Sequence, residues 1–137
     1  MKISFIGCAD NSINIFKAVA GALSKKISGL ELNERFVPFV EDLPIVALEE
    51  TEESDFIFVF VMVEENQKNF LIEKLVDVEI KSGVRILKAV EIDEISDIDE
   101  EEFIELKDSL VEKYSQLMVN ILFNEIAFES NDKDFGL

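Results

Sequence analysis

The 137-residue sequence contains no histidine, a single cysteine and only two prolines. The absence of histidine excludes an imidazole general base, a Ser-His catalytic pair and nearly every zinc site. One cysteine excludes a disulfide within the chain and is typical of a reducing compartment, so we expect a cytoplasmic protein. Long apolar runs are absent too, because the longest, residues 56–63, is far shorter than the roughly 20 residues that cross a bilayer.

Basic residues are also scarce, with 13 Lys and Arg against 30 Asp and Glu, a formal charge of −17. So acidic a surface repels phosphate backbones and anionic lipid, which predicts no nucleic-acid and no membrane partner. The hydrophobic fraction of 48% and the 12 Phe exclude a disordered acidic tail. The length then predicts a single domain over residues 1–137.

Apolar patterns of two kinds alternate along the chain. Short apolar runs at 3–6, 30–37, 56–63 and 84–90 predict four strands, and the run at 56–63, apolar on both faces, is typical of a central strand. Apolar positions at three- and four-residue spacing predict one helix over about 13–27, with Asn11 or Ser12 available as its N-cap, and a second over 103–123.

The segment 66–82 is ambiguous. Residues 69–76 have a helical pattern, whereas 76–80 alternate as in a strand and could form a hairpin at Ser82-Gly83. A helix is the better prediction, because a parallel strand at 84–90 needs a crossover from the strand at 56–63. The order is then β-α-β-α-β-α-β-α, which predicts an α/β fold with a doubly wound parallel sheet.

Ligands of such sheets bind beyond the carboxyl ends of the strands, here the loops 7–12, 37–44, 63–68 and 91–97. The excess acid is concentrated beside two of these loops. Residues 41–55 hold seven acids and no base, residues 91–105 hold nine acids and no base, and the rest of the chain is nearly neutral. The charge is therefore a local property, near the expected ligand site.

The first loop, 7–12, lacks both the dinucleotide-binding and the Walker A pattern. Its polar residues Asp10, Asn11 and Ser12 have two interpretations, either a tight turn with a helix cap or polar contacts to an uncharged ligand. Cys8 is best interpreted as a small buried apolar residue, since no nearby cation favours its thiolate.

The second loop, 37–44, contains both prolines of the chain. Two fixed φ angles make this connection rigid, which suits a loop that presents groups to a ligand. Phe39 offers an aromatic face, and Glu41 and Asp42 offer acceptors for hydroxyl groups. The alternative is a strand exit followed by a helix, with Asp42 as N-cap and Pro44 in the first turn.

The acidic run at 93–102 lacks the spacing and the central glycine of an EF-hand. Acids at a helix N-terminus stabilise the helix dipole, and runs of charge are usually solvated faces. The sequence therefore predicts no metal site and no cofactor.

Residues 37–44, Val-Pro-Phe-Val-Glu-Asp-Leu-Pro, resemble the Val-Pro-Gly-x-x-Asp-Leu-Pro of archaeal-type riboflavin synthase and the related loop of lumazine synthase. Residues 54–57 and 89–94 are similar to the family segments around the third and fourth strands. The resemblance implies a flavodoxin-like three-layer sandwich with strand order 2-1-3-4, assembled as a homopentamer with sites between neighbouring subunits. Lumazine synthase uses a sugar phosphate, whereas riboflavin synthase dismutates two molecules of ribityllumazine.

The acids at Glu64, Glu65, Glu91, Asp93 and Glu94 oppose a phosphate, so the riboflavin synthase reaction fits better than the lumazine synthase reaction. We therefore expect a lumazine or flavin ligand, with no catalytic residue assigned. The expected binding residues are Asp10, Asn11, Ser12, Pro38, Phe39, Val40, Glu41, Asp42 and Glu64.

Three departures from the family pattern favour an alternative. Phe39 replaces the family glycine, the loop after the third strand is shorter, and the family histidine has no counterpart. In this alternative the chain is a non-catalytic paralogue that acts as a binding or assembly subunit. The sequence therefore leaves open whether the chain is an enzyme. The sequence also leaves the role of residues 128–137 open.

Overall fold

The computed structural model describes the backbone of residues 1–134 and the side chains of residues 1–124. The elements in chain order are β1 (Lys2–Cys8), α1 (Phe16–Lys26), β2 (Glu31–Val37), α2 (Leu43–Glu50), β3 (Phe56–Val63), α3 (Glu65–Ser82), β4 (Arg85–Ile92) and α4 (Glu100–Asp134). The predicted alternation of strands and helices is confirmed.

The four strands form one parallel sheet in the order β2-β1-β3-β4. This order confirms the α/β sandwich expected from the sequence. Gly7 of β1 lies opposite Phe60 of β3, and Cys8 lies opposite Val37 of β2. The carboxyl ends of β1, β2 and β3 therefore meet at one edge of the sheet.

β3 is the most buried strand, with seven of its eight residues inaccessible. It lies between β1 and β4, and helices cover both of its faces, which explains why its sequence is apolar throughout. β2 is an edge strand, and its exposed polar residues Glu31, Asn33 and Glu34 are typical of an edge.

The face of the sheet covered by α1 and α4 has an aromatic core. The ring of Phe58 lies 5.4 Å from that of Phe5 and 5.7 Å from that of Phe16, in edge-to-face arrangements that aromatic rings favour. Tyr114 of α4 closes this cluster over Phe58 and Phe60. The opposite face, under α2 and α3, has an aliphatic core.

Helix α1 begins at Phe16, so the prediction that Asn11 or Ser12 is its N-cap is wrong. The segment before it is a loop that buries Ile13 and Ile15. The side chain of Asn14 stabilises the start of the helix instead, because its Oδ1 accepts a hydrogen bond from Phe16 N at 3.0 Å. The prediction failed because these buried loop residues, together with those of α1, have the three- and four-residue spacing that is typical of a helix.

The ambiguous segment belongs to the 18-residue helix α3, so the helical prediction is confirmed. The helix ends at Gly83, whose left-handed φ of 74° suits glycine. The predicted loop at 63–68 does not exist, because β3 ends at Val63 and α3 begins at Glu65. β4 continues to Ile92, two residues beyond its predicted end.

Helix α4 begins at Glu100, three residues before its predicted start, and three acids occupy its first turn. The segment 128–137 lies outside the residues whose side chains are described. None of the helices in the described part of the chain is both long and apolar enough to span a membrane.

Candidate functional site

A concavity of about 340 Å³ lies beyond the carboxyl ends of β1, β2 and β3. We name it the carboxyl-edge concavity. A hydrogen bond of 2.8 Å from Ala9 N to the carbonyl of Val37 fixes the first two loops beside each other. Six of the nine expected binding residues line it, namely Asp10, Pro38, Phe39, Val40, Glu41 and Glu64.

The second loop forms one wall of the concavity. Phe39 has an extended backbone and a side chain that is 65% exposed. A short 3-10 turn over Val40–Asp42 follows, closed by a hydrogen bond of 3.0 Å from Asp42 N to the carbonyl of Phe39. Pro44 lies in the first turn of α2, as expected.

Asp42 does not line the concavity. It occupies the N-cap position of α2, but its side chain makes no capping hydrogen bond. The 3-10 turn directs Glu41 into the concavity and leaves its neighbour out. Of the two acids expected to contact a ligand, the structure therefore places Glu41 at the concavity and Asp42 outside it.

Asn11 does not line the concavity either, because its side chain is used by β3. Its Nδ2 donates to the carbonyl of Phe60 at 3.0 Å, and its Oδ1 accepts from Met62 N at 3.0 Å. The residue braces the end of β3 where β1 turns away. Its side chain supports the rim of the concavity and does not line it.

Ser12 does not line the concavity but contacts Asp93, which we expected to oppose a phosphate and did not include among the binding residues. Ser12 Oγ donates to Asp93 Oδ2 at 3.0 Å, and Asp93 N donates to the carbonyl of Val63 at 2.9 Å. Asp93 lines the concavity together with Glu64. Its place in the loop after β4, at the carboxyl edge of the sheet, is the sequence signal that would have added it to the binding residues.

Glu64 has a structural role in addition to the expected one. It is the N-cap of α3 and forms a reciprocal capping box with Gln67, in which Gln67 Oε1 accepts from Glu64 N at 3.1 Å. Gln67 also lines the concavity. The Glu-x-x-Gln spacing at a strand end is the sequence signal that would have indicated the capping box and, with it, Gln67.

The carboxyl-edge concavity is strongly acidic. Asp10, Glu41, Glu64 and Asp93 contribute carboxylates to it, and within the described residues no lysine or arginine lines it. The concavity therefore repels anions and accepts hydrogen bonds from hydroxyl or amino groups.

Cys8 lies at the floor of the concavity and is 4% exposed. Burial, together with the neighbouring Asp10, raises the pKa of its thiol to about 11. The thiol is therefore protonated at neutral pH, which makes it a poor nucleophile. This agrees with the interpretation of Cys8 as a small buried apolar residue.

The charged side chains that line the carboxyl-edge concavity are hydrogen-bond acceptors. Among the side chains that the structure describes, no three Asp, Glu or Cys come together as a metal site requires. The carboxylates at the concavity are suited to holding hydroxyl groups, and the rigid second loop is suited to orienting a ligand.

A second, largely apolar concavity of about 240 Å³ adjoins the first between α2 and α3. We name it the α2–α3 groove. Pro44, Phe70 and Leu71 form its apolar walls, while Val40, Glu41 and Gln67 are shared with the carboxyl-edge concavity. The two concavities therefore adjoin through three common residues.

A larger concavity, of about 660 Å³, lies at the opposite edge of the sheet, where Asp55 and Arg85 are found. This is the amino edge of the strands, which the loops that carry ligands in parallel α/β sheets do not reach. We therefore assign the candidate site to the smaller, carboxyl-edge concavity.

Comparison with protein-family models and with curated proteins finds no match for this sequence.

Proposed function

We propose that this chain binds ribityllumazine or a flavin at the carboxyl-edge concavity, as a divergent relative of archaeal-type riboflavin synthase. The observation that carries the proposal is that four carboxylates line one concavity together with the exposed Phe39, while no basic residue of the described part of the chain lines it. Such a site suits an uncharged ligand whose hydroxyl groups donate hydrogen bonds to the carboxylates.

The charge of the site selects against phosphate. A phosphate at this position would face Asp10, Glu41 and Glu64, and two unit charges of the same sign about 4 Å apart repel by about 1 kcal/mol even in bulk water. The hydroxyl groups of a ribityl chain are donors, which carboxylates bind well. A lumazine synthase reaction on a sugar phosphate is therefore disfavoured.

In the riboflavin synthase reaction one ribityllumazine molecule transfers a four-carbon unit to a second one, which becomes riboflavin, while the donor is released as the ribitylaminopyrimidinedione. The reacting methyl group of ribityllumazine is unusually acidic for carbon, so the reaction depends less on a strong base than on positioning. Cys8 is unsuited to act as a base at neutral pH because its thiol keeps its proton. The contribution of this chain is to orient the rings, and no catalytic residue is assigned.

Equilibrium titration with riboflavin and with its phosphate ester tests the binding proposal. The two ligands share the ring and the ribityl chain, so a difference between them reports the electrostatics of the site. We expect riboflavin to bind at least about tenfold more tightly, equivalent to 1.4 kcal/mol. Equal affinities, or no binding of riboflavin up to the limit of its solubility in water, would refute the proposal.

Incubation with ribityllumazine tests the catalytic part. Formation of riboflavin, followed by its fluorescence, supports a riboflavin synthase. Binding of ribityllumazine without turnover supports the second candidate, a non-catalytic paralogue that acts as a binding or assembly subunit.

A specific observation favours that second candidate. Phe39, Ile45 and Phe70 are large apolar side chains that are more than half exposed in the single chain. Exposed apolar residues in one region are typical of surfaces that contact other molecules. The resemblance leads us to propose a homopentamer, and native mass spectrometry tests it independently of catalysis.

A further inference from the structure

The carboxyl-edge concavity and the α2–α3 groove differ in chemistry although they adjoin. Carboxylates surround the first, whereas the walls of the second are mostly apolar, with Pro44, Phe70 and Leu71 contributing most of them. Their volumes of about 340 and about 240 Å³ together lie within the roughly 300–1,000 Å³ typical of small-molecule sites. An occupant that fills both must have an apolar end and a polar, hydroxyl-bearing end.

We infer that the two concavities form one ligand site, in which the α2–α3 groove holds the ring system and the carboxyl-edge concavity holds the hydroxylated chain. This inference rests on the proposed function and assigns the ring to Phe70 of α3, whereas sequence reasoning points to Phe39. Pro44 and Leu71 form the rest of the apolar surface around the ring.

The position of Phe39 disfavours it as the main ring contact. It lines the acidic concavity, and an apolar ring placed there would remove water from Glu41 and Glu64 without replacing their hydrogen bonds. The α2–α3 groove offers apolar surface with fewer charged groups, so the ring gains contact at a smaller desolvation cost.

Phe70 is placed to receive a ring. Its side chain is 59% exposed although it is large and apolar. Lys74 Nζ lies 5.5 Å from the ring centroid, one helical turn later, and this cation–π contact holds the orientation of the ring. An oriented, solvent-exposed aromatic ring at the edge of a groove is suited to contact a flat ligand.

Gln67 stands at the junction of the two concavities. Its Oε1 is engaged in the capping box with Glu64 N. Its Nε2 group donates no hydrogen bond to any other described residue, and a ring carbonyl at the junction is the acceptor that it suits. Gln67 would then select a ring that carries carbonyl oxygens, as lumazines and flavins do.

The test is equilibrium binding of two probes, riboflavin and lumichrome, which has the isoalloxazine-like ring without the ribityl chain. We expect Phe70→Ala to weaken both probes by about tenfold or more, because it removes ring contact common to both. Phe39→Ala is expected to change either affinity by less than threefold. Glu41→Gln is expected to weaken riboflavin and leave lumichrome within twofold.

Ile80→Ala is the matched control, because Ile80 is a 78% exposed apolar residue on the same helix, ten residues from Phe70. It should leave both affinities unchanged. Gln67→Glu preserves a capping acceptor at the same helix position and removes the Nε2 donor, so the inference predicts weaker binding of both probes by a protein of undiminished stability.

The outcomes separate the inference from the proposed function. If Phe39→Ala weakens lumichrome while Phe70→Ala does not, the ring lies elsewhere and only the inference fails. If Phe70→Ala changes the oligomeric state in native mass spectrometry and not ligand affinity, a second copy of the chain occupies the groove, which also overturns the inference. If the unmodified protein binds neither probe, both the inference and the proposed function fail.

Discussion

The side-chain amide of Asn11 continues the sheet where β1 ends, because it donates to the carbonyl of Phe60 and accepts from the N–H two residues later. This is the hydrogen-bond pattern that a peptide group of a parallel neighbour strand would make with β3. A polar side chain thus satisfies the backbone of a buried strand at the rim of the candidate site.

Asn11→Asp keeps the shape of this side chain and removes its donor. The carboxylate then faces the Phe60 carbonyl, and we expect a loss of about 1–3 kcal/mol in the free energy of unfolding. Urea unfolding monitored by circular dichroism measures it. Ser12→Ala, at an exposed neighbour, should change it by less than about 0.5 kcal/mol. Equal effects of the two substitutions would contradict the role given to Asn11.

Gly7 lies where the backbone of β1 passes close to the aromatic core. A Cβ at this position would lie 2.9 Å from a ring carbon of Phe16 and 3.3 Å from the carbonyl oxygen of Phe60. The Phe16 ring is buried and packs against the rings of Phe5 and Phe58, so a shift of this ring disturbs the aromatic core. We expect Gly7→Ala to lower the free energy of unfolding by about 1–3 kcal/mol.

Gly21→Ala is the control for that substitution. Gly21 lies inside α1, and a Cβ there would meet nothing within 4 Å. The better helix propensity of alanine should raise stability by about 0.5–1 kcal/mol. If the same urea assay shows a lower free energy of unfolding for Gly7→Ala and a higher one for Gly21→Ala, the close packing at Gly7 is confirmed. An unchanged free energy of unfolding for Gly7→Ala would refute it.

The Cys8 thiol should react slowly with an aromatic disulfide reagent at pH 8. Its pKa of about 11 leaves more than about a hundredfold less thiolate than an ordinary cysteine has, and burial restricts access further. In urea the thiol should react at the rate of a free cysteine. Rapid modification of the folded protein would show that Cys8 is accessible and activated.

Tyr114 should make the stability of the protein sensitive to alkaline pH. Burial, and then its hydrogen bond to Glu91, raise the pKa of its hydroxyl above the ordinary value of about 10. Above pH 10 the unfolded chain releases this proton while the folded chain keeps it. The resulting stability is therefore complete below about pH 10 and is lost as the pH rises further, at up to about 1.4 kcal/mol per pH unit.

Tyr114→Phe isolates this contribution, because every other titrating group remains. We expect the variant to be less stable than the unmodified protein at pH 8, since it loses a hydrogen bond to a carboxylate. The difference between the two should shrink between pH 10 and 11 in urea unfolding. A difference that is constant over this range would contradict the assignment.

Much of the fold is readable from sequence because its signals are local. The eight apolar residues of β3 and the requirement for a crossover to β4 predict a parallel sheet, and the crossover decides that 76–82 is helical. The start of α1 is not readable in this way. Ile13 and Ile15 are buried in a loop by contacts with distant elements, and their spacing alone resembles a helix.

The candidate site likewise has a part that local sequence predicts and a part that depends on contacts between distant residues. The wall formed by Pro38, Phe39 and Glu41 follows from local loop chemistry. The role of Asn11 depends on a strand some 50 residues later in the chain, so no local pattern indicates it. Asp93 reaches the site only because β4 lies beside β3, and the α2–α3 groove arises from the packing of two helices.

The central place of β1 in the sheet has a consequence for synthesis of the chain. Ile3 pairs with Phe56, 53 residues later, so one edge of β1 has no partner until β3 has been made. At about 5–20 residues per second, translation of that interval takes about 3–10 seconds. During that time the apolar strand is only half paired, and the nascent chain is at its most vulnerable to association with its neighbours on the polysome.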